Sequence, residues 1–495
     1  MSQQYWNARK TLSRRAVLQE YGLGFGSLAL AWLLNDQSLL GRPTSQTDGP
    51  PFSNLRPRSG DFPGPAKNVI QLLQPGGPSQ MDLFDPKPEL TKRHGQIHSH
   101  DVEKLFANKE NILMGSPFQF RPRGACGMEL SELIPYLSEI ADDLTLIRSL
   151  HTDHNNHPEG LTMLLTGKIF PGRPVLGSWI SYALGSENQN LPSYVVLRPN
   201  DETTLKSLWS SGWLPALFQG TEFKASANPV HYLSPTRPIS PGVRREDLDL
   251  LTKMNREHQR GHAQESELEA RIQNYELAGR MQLAATEVLD LSRESESTKK
   301  LYGLDNPITA DYGTRCLMAR RLIQAGVRFV QVHPPGADRP GNLVWDHHNQ
   351  LKRKMPKLCA QTDLPSAALV RDLKNQGLLE STIVIWGGEF GRLPVSQGAL
   401  SPRSGRDHNR HAFSLWLAGG GFKNGLAYGE TDEFGYKSVV DRVSVPDLHA
   451  TLLHSLGLDH KRLNYSHRGI EESLTDVRLS GAKVIGKLLK NPPQG

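Results

Sequence analysis

Short runs of apolar and β-branched residues recur along the chain at Asn68–Leu73, Leu144–Leu150, Tyr194–Leu197, Val327–Val332, Thr382–Trp386 and Phe413–Leu417, separated by stretches whose apolar positions follow helical spacing. Near-continuous apolar runs of this length fit strands covered on both faces, and their alternation with helices predicts an α/β fold on a largely parallel sheet. Arg244 to Lys300 is charged and free of proline, with Leu248, Leu251 and Met254, then Leu268, Ile272 and Leu277, near helical spacing. That segment (244–300) predicts one or two surface helices, an insertion or cap; no heptad is sustained, so it is not a coiled coil. Residues 35–60 are rich in Pro, Ser, Asp and Gly without apolar periodicity and predict a linker, with the folded part beginning near Asp61 and running to about residue 490.

At 495 residues the chain suits about three domains or one large α/β domain with insertions. Its 37% hydrophobic and 22% charged content excludes a disordered chain and a polytopic membrane protein. The formal charge of +6 suggests nucleic acid at first, but Arg9, Lys10, Arg14 and Arg15 against Glu20 place half of it near the start. The remainder carries no basic stripe, so no nucleic-acid partner is expected. Cys126, Cys316 and Cys359 are three and far apart, which rules out a disulfide framework.

The first 34 residues carry a different signal. Ser13-Arg14-Arg15-Ala16-Val17-Leu18 stands directly before an apolar run from Tyr21 to Leu34, broken by glycines and shorter than the ~20 residues a membrane span needs. The pattern resembles a twin-arginine export signal and predicts a periplasmic or extracellular protein that uses the twin-arginine machinery. No small-x-small cleavage site follows Leu34, so retention as an N-terminal membrane anchor is the alternative.

In open α/β sheets ligands bind beyond the carboxyl ends of the strands, and there the chemistry-bearing residues gather. Asn68–Leu73 leads to Asp82 and Asp85, and Leu144–Leu150 leads to His151, Asp153, His154, Asn156, His157 and Glu159. Val327–Val332 precedes His333 and the loop Asp346-His347-His348; Thr382–Trp386 leads to Glu389 and Arg392, then Asp407-His408. Carboxylates and imidazoles gathered at several strand ends predict a site for divalent metal. Mixed oxygen and nitrogen ligands suit zinc or manganese, and oxygen alone suits magnesium or calcium. Two cations about 4 Å apart would clamp an ester displacement. Neither a Gly-x-Ser-x-Gly elbow nor a Walker A loop occurs, so serine hydrolase and nucleotide hydrolase chemistry fall away. His449 and His454 lie on an amphipathic helix after Pro446 and read as satisfied helix histidines, with Asp447 as a first-turn carboxylate.

Several motifs together resemble the DUF1501 family and, beyond it, the alkaline phosphatase/sulfatase superfamily. They are Gly76-Gly77-Pro78-Ser79-Gln80-Met81-Asp82-Leu83-Phe84-Asp85, Asn156-His157-Pro158 with Leu165-Thr166-Gly167, and Cys316 through Val330. Trp345-Asp346-His347-His348, Gly388-Glu389-Phe390-Gly391-Arg392, Gly405-Arg406-Asp407-His408 and Leu474-Thr475-Asp476-Val477 complete the set. The resemblance implies an alkaline-phosphatase-like domain with a central, mainly parallel sheet flanked by helices. It implies metal ligands Asp82, Asp346, His348, Glu389 and His408, with Glu389 replacing the usual Asp. The superfamily's nucleophile position falls near Asn156 or His157, neither of which carries a hydroxyl, and no Cys/Ser-x-Pro-x-Arg occurs for formylglycine. The expected chemistry is therefore metal-activated water with His157 or His154 as acid/base, and Arg392 and Asn156 holding an anionic ester or a sulfated polysaccharide. A non-catalytic polysaccharide-binding or envelope protein on a degenerate hydrolase scaffold is the alternative.

Overall fold

A computed structural model describes residues 54–99, 101–105, 111–199, 206–224, 241–260, 266–336 and 343–492. The expected export signal and most of the linker lie outside the described residues. The architecture rests on strands β1 (Asn68–Leu73), β2 (Leu144–His151), β3 (Tyr194–Arg198), β4 (Thr221–Lys224), β5 (Phe329–Val332), β6 (Thr382–Gly387), β9 (Phe413–Ala418), β10 (Leu426–Tyr428) and β11 (Val443–Ser444). They form a nine-stranded sheet in the order β10-β2-β9-β6-β1-β5-β3-β4, with β11 also on β2. All pairings are parallel except those of β9, which runs against β2 and β6. The α/β class and mainly parallel sheet are as the sequence predicts.

The central strands are buried on both faces because helices cover both. Ile70, Leu72, Val330, Val332, Val384 and Trp386 face one apolar core, with helices α5 (Ala310–Gln324) and α6 (Leu351–Asn375) over it. Val69, Leu73, Phe329, Ile383 and Ile385 face the other, under helices α1 (His157–Thr166), α2 (Leu176–Leu184) and α7 (Val445–Ser455). Alternation of adjacent residues between two dry layers explains why the runs are continuously apolar rather than alternating. The charged segment forms helices α3 (Pro241–Arg260) and α4 (Ser266–Leu289); α4 docks Met281, Ala285 and Leu289 on the first core, while Leu250, Leu251 and Met254 of α3 stay exposed. On α7, Ser444 and Asp447 form a reciprocal capping box, so Asp447 is a capping carboxylate.

One antiparallel hairpin, β7 (Gly391–Ser396) and β8 (Arg406–Asn409), stands apart from the sheet and sets His408 directly across from Arg392. The sequence predicts a loop at Asp407-His408; the strand forms because every residue of β8 is buried and its polar side chains find partners. No helix among the described residues is long and apolar enough to cross a membrane.

Candidate metal centre

The parallel strands carry their following loops to one edge. Adjacent β1 and β6 are in register at Leu73 and Gly387, so the loops holding Gly76 and Glu389 emerge side by side. The β2 chain turns through Asn156, an extended N-cap, into α1, whose first residue is His157 followed by Pro158. The loop holding Asp346 folds against Gly76: a Cβ there would lie 2.7 Å from the backbone nitrogens of Trp345 and Asp346, and the φ of +111° further excludes a side chain. Trp345 anchors this loop by donating its indole N–H to Gln74 Oε1 at 2.8 Å.

Four ligand-type side chains converge here. One ligand atom each from His157, Asp346, His348 and His408 lies within 4.8 Å of the other three. The Nε2 atoms of His348, His408 and His157 lie 2.9, 3.2 and 3.3 Å from Asp346 Oδ1. Metal–ligand bonds of about 2.0–2.1 Å in a tetrahedron place neighbouring ligand atoms about 3.3 Å apart, and the three separations from Asp346 Oδ1 are of that size.

The other ring nitrogen of each histidine is occupied by an oxygen acceptor. His157 Nδ1 meets Glu389 Oε1 at 2.5 Å, His408 Nδ1 meets the Asn155 carbonyl at 2.6 Å, and His348 Nδ1 meets the Gln397 side-chain oxygen. A carbonyl only accepts, so His408 carries its hydrogen on Nδ1 and, when neutral, turns the Nε2 lone pair toward an anionic oxygen. Burial and the nearby positive charge of Arg392 outweigh the Asp346 contact and push His408 down to about 4, so the ring is neutral at pH 7. Two lone pairs facing each other call for a cation between them. His157 shows the same demand differently: its buried Nε2 makes no hydrogen bond. Burial disfavours its charged form, yet the flanking Asp346 and Glu389 raise its affinity for a proton above the ordinary value. Burial likewise opposes ionisation of Asp346, but its close contacts with the three imidazoles and the charge of Arg392 hold it well below the usual carboxylate range.

The charges point the same way. Asp346, Glu389 and Asp407 contact the three imidazoles, and Arg392 contacts Asp346 at 2.7 Å. Three carboxylates with one guanidinium leave two negative charges in excess, which one divalent ion would balance. The residues present therefore fit a divalent metal by donor chemistry, spacing and charge.

The remaining predicted residues fall elsewhere. Asp82 is wholly buried and outside the cluster: Arg406 holds both its oxygens, at 2.7 and 3.2 Å, and Ser79 donates to it at 2.5 Å. A guanidinium thus supplies the counter-charge expected of a metal. Glu389 is also fully buried, taking the Gly76 N–H on its two oxygens at 3.0 and 3.1 Å and meeting His157 Nδ1 at 2.5 Å; it lies outside the group of four. Arg392, expected to hold substrate, is buried, and its donors go to the carbonyls of Gly76, Gly77, Trp345 and Arg406 and to Asp346. No fork remains to grip an anionic ester. Half-buried His154 lies at the mouth of the β2 loop, its Nδ1 accepting the Asn156 N–H at 3.1 Å. The Asn156 side chain donates to Glu159 at 2.7 Å. Sequence reasoning took His157 as an acid/base and did not group it with Asp346, His348 and His408; the signal was Glu389, a carboxylate able to lock one nitrogen of a histidine.

The molecule is an α/β protein with a cluster of ligand-type side chains beyond the strands of its mainly parallel sheet. The chain belongs to the family described as protein of unknown function DUF1501, which matches residues 66–489. No curated protein matches it. Among solved structures it is similar to the lipoteichoic acid synthase LtaP from Listeria monocytogenes, at 10% identity over 82% of this chain and 76% of that one, with a TM-score of 0.34. An alkaline phosphatase superfamily protein from Vibrio parahaemolyticus matches at 12% identity over 85% and 74% with a TM-score of 0.32. The sulfatase PsFucS1 from Pseudoalteromonas sp. matches at 13% identity over 79% and 68% with a TM-score of 0.31.

Proposed function

We propose that this protein is an exported, metal-dependent hydrolase that cleaves a sulfate or phosphate ester, with water rather than a side chain as nucleophile. The observation that carries the reading is the set of three imidazoles, each fixed at Nδ1 and each turning Nε2 to the single oxygen Asp346 Oδ1. Three nitrogens and one oxygen suit zinc or manganese better than magnesium or calcium. Such an ion, when bound, supplies Lewis-acid charge and brings a water's pKa down to about 7.

The chain's own residues supply the rest. Glu389 holds the His157 ring in place, and Asn155 and Gln397 do so for His408 and His348. The first residue of α1, where a hydroxyl nucleophile is expected from the family resemblance, is an imidazole already engaged, which leaves water as the attacking group. His154 accepts on Nδ1, so its neutral ring carries the proton on Nε2, the atom suited to protonate a leaving oxygen. A sulfated polysaccharide is the proposed substrate class, in line with the resemblance, and the Arg14-Arg15 pattern supports twin-arginine export to the periplasm or exterior.

A second reading, a metal-holding polysaccharide-binding protein without turnover, is favoured by one observation: Arg392, the expected anion clamp, is consumed by backbone carbonyls and Asp346. Elemental analysis of protein purified without chelators, followed by a screen of aryl sulfates and phosphates, separates the two. Bound metal with turnover lost in Asp346→Ala and His408→Ala supports the hydrolase. Metal without turnover supports the binder, and absence of metal overturns both.

A further inference from the structure

Between β1, β6, β9 and helices α1, α2 and α7 lies a small cavity lined by Gln71, Leu164, Leu176, Leu448, His449 and neighbouring apolar residues. It leaves about 10 Å³ for the centre of a water molecule, about what one water requires. Its lining is apolar apart from Gln71 and His449, which are 5% and 1% exposed. Each has an atom that finds no hydrogen-bond partner: Oε1 of Gln71 and Nδ1 of His449.

Both atoms are acceptors. His449 Nε2 lies 2.8 Å from the Leu164 carbonyl, which can only accept, so the hydrogen is on Nε2 and Nδ1 is bare. Burial pushes His449 down to about 4, which keeps the ring neutral at pH 7. Two acceptors cannot satisfy one another, and leaving each unpaired would cost about 1–3 kcal/mol. A water molecule has two donors.

We propose that one buried water occupies this cavity and donates one hydrogen to Gln71 Oε1 and the other to His449 Nδ1. The water and His449 then form a polar clamp from the central strand β1 through α7 to the last turn of α1, the helix that begins with His157. The apolar lining and the two neutral acceptors select a small neutral donor over a metal ion, which would want more ligands and charge.

A high-resolution crystal structure of the full chain tests the site directly. Expected is one density peak about 2.7–3.2 Å from both atoms; a dry cavity, or Gln71 and His449 in direct contact, overturns the proposal. A thermal-unfolding cycle gives a second readout. Gln71→Met and His449→Leu each lower the melting temperature, and the double variant lowers it by less than the sum, because removing both acceptors removes the need for the water. Strictly additive shifts would contradict a shared bridge.

Discussion

Asp82, in the one-turn helix Gln80–Leu83 that follows β1, and Asp346, in the loop before α6, each meet an arginine, yet the two surroundings differ in kind. Around Asp82 the chain supplies its own full counter-charge: Arg406 spans both oxygens and neither residue is exposed. Around Asp346 a single oxygen receives Arg392 and three imidazoles, its side chain is 26% exposed, and the neighbouring carboxylates outnumber the guanidinium. The first arrangement is closed and electrically complete. The second keeps an excess of negative charge, and its four ligand-type side chains could hold a cation. Residue composition at a strand end does not tell these apart; what separates them is which positive charge the fold brings within reach.

The comparison breaks most visibly at Arg406. Arg406→Ala leaves Asp82 buried without a partner and is expected to cost about 3–5 kcal/mol, read as a lower urea midpoint. Chelator treatment should not change that loss, since no ion is involved; rescue of Arg406→Ala by zinc would mean that Asp82 binds metal after all. At the other acid the expectation reverses. Asp346→Ala should drop bound metal from near one per chain to near zero by elemental analysis, with unfolding like that of the chelated parent protein.

Glu389→Gln sharpens the contrast further. The amide keeps the shape but weakens the hold on His157 Nδ1, and loss of such a supporting partner typically lowers metal affinity 10–100-fold. Competition titration with a chromophoric chelator reads the change, and affinity equal to wild type would remove Glu389 from the support of the site. The smallest expected effect is on pH. His157 binds its proton more tightly than an ordinary histidine, so metal must displace that proton, and affinity falls as pH drops through the raised His157 value, up to tenfold per unit. His408, down at about 4, adds no proton competition above pH 5. Affinity flat between pH 8 and 6 would argue against His157 as a ligand.

The sheet was legible because its strands are covered on both faces, so β1 and β6 read as unbroken apolar runs. Asp346, His348 and His408 stood out as ligand types beyond strand ends, and the structure brings all three together with His157. Other features depend on tertiary reach that local pattern does not carry. Asp82 finds Arg406 across 324 positions, and Glu389 finds His157 across 232. The β7–β8 hairpin escaped notice because Arg406-Asp407-His408-Asn409 has no apolar alternation; its burial rests on ion pairs and hydrogen bonds instead. Arg392 looked available because it follows a glycine, whereas five acceptors within the fold consume it.

Anomalous diffraction at the zinc edge from crystals of the protein soaked in zinc addresses the central contrast most directly. One peak about 2.0–2.2 Å from Nε2 of His157, His348 and His408 and from a carboxylate oxygen of Asp346, with none at Asp82, is the predicted result. No peak at the three imidazoles under saturating zinc, or a peak seated on Asp82 with Arg406 displaced, would contradict it.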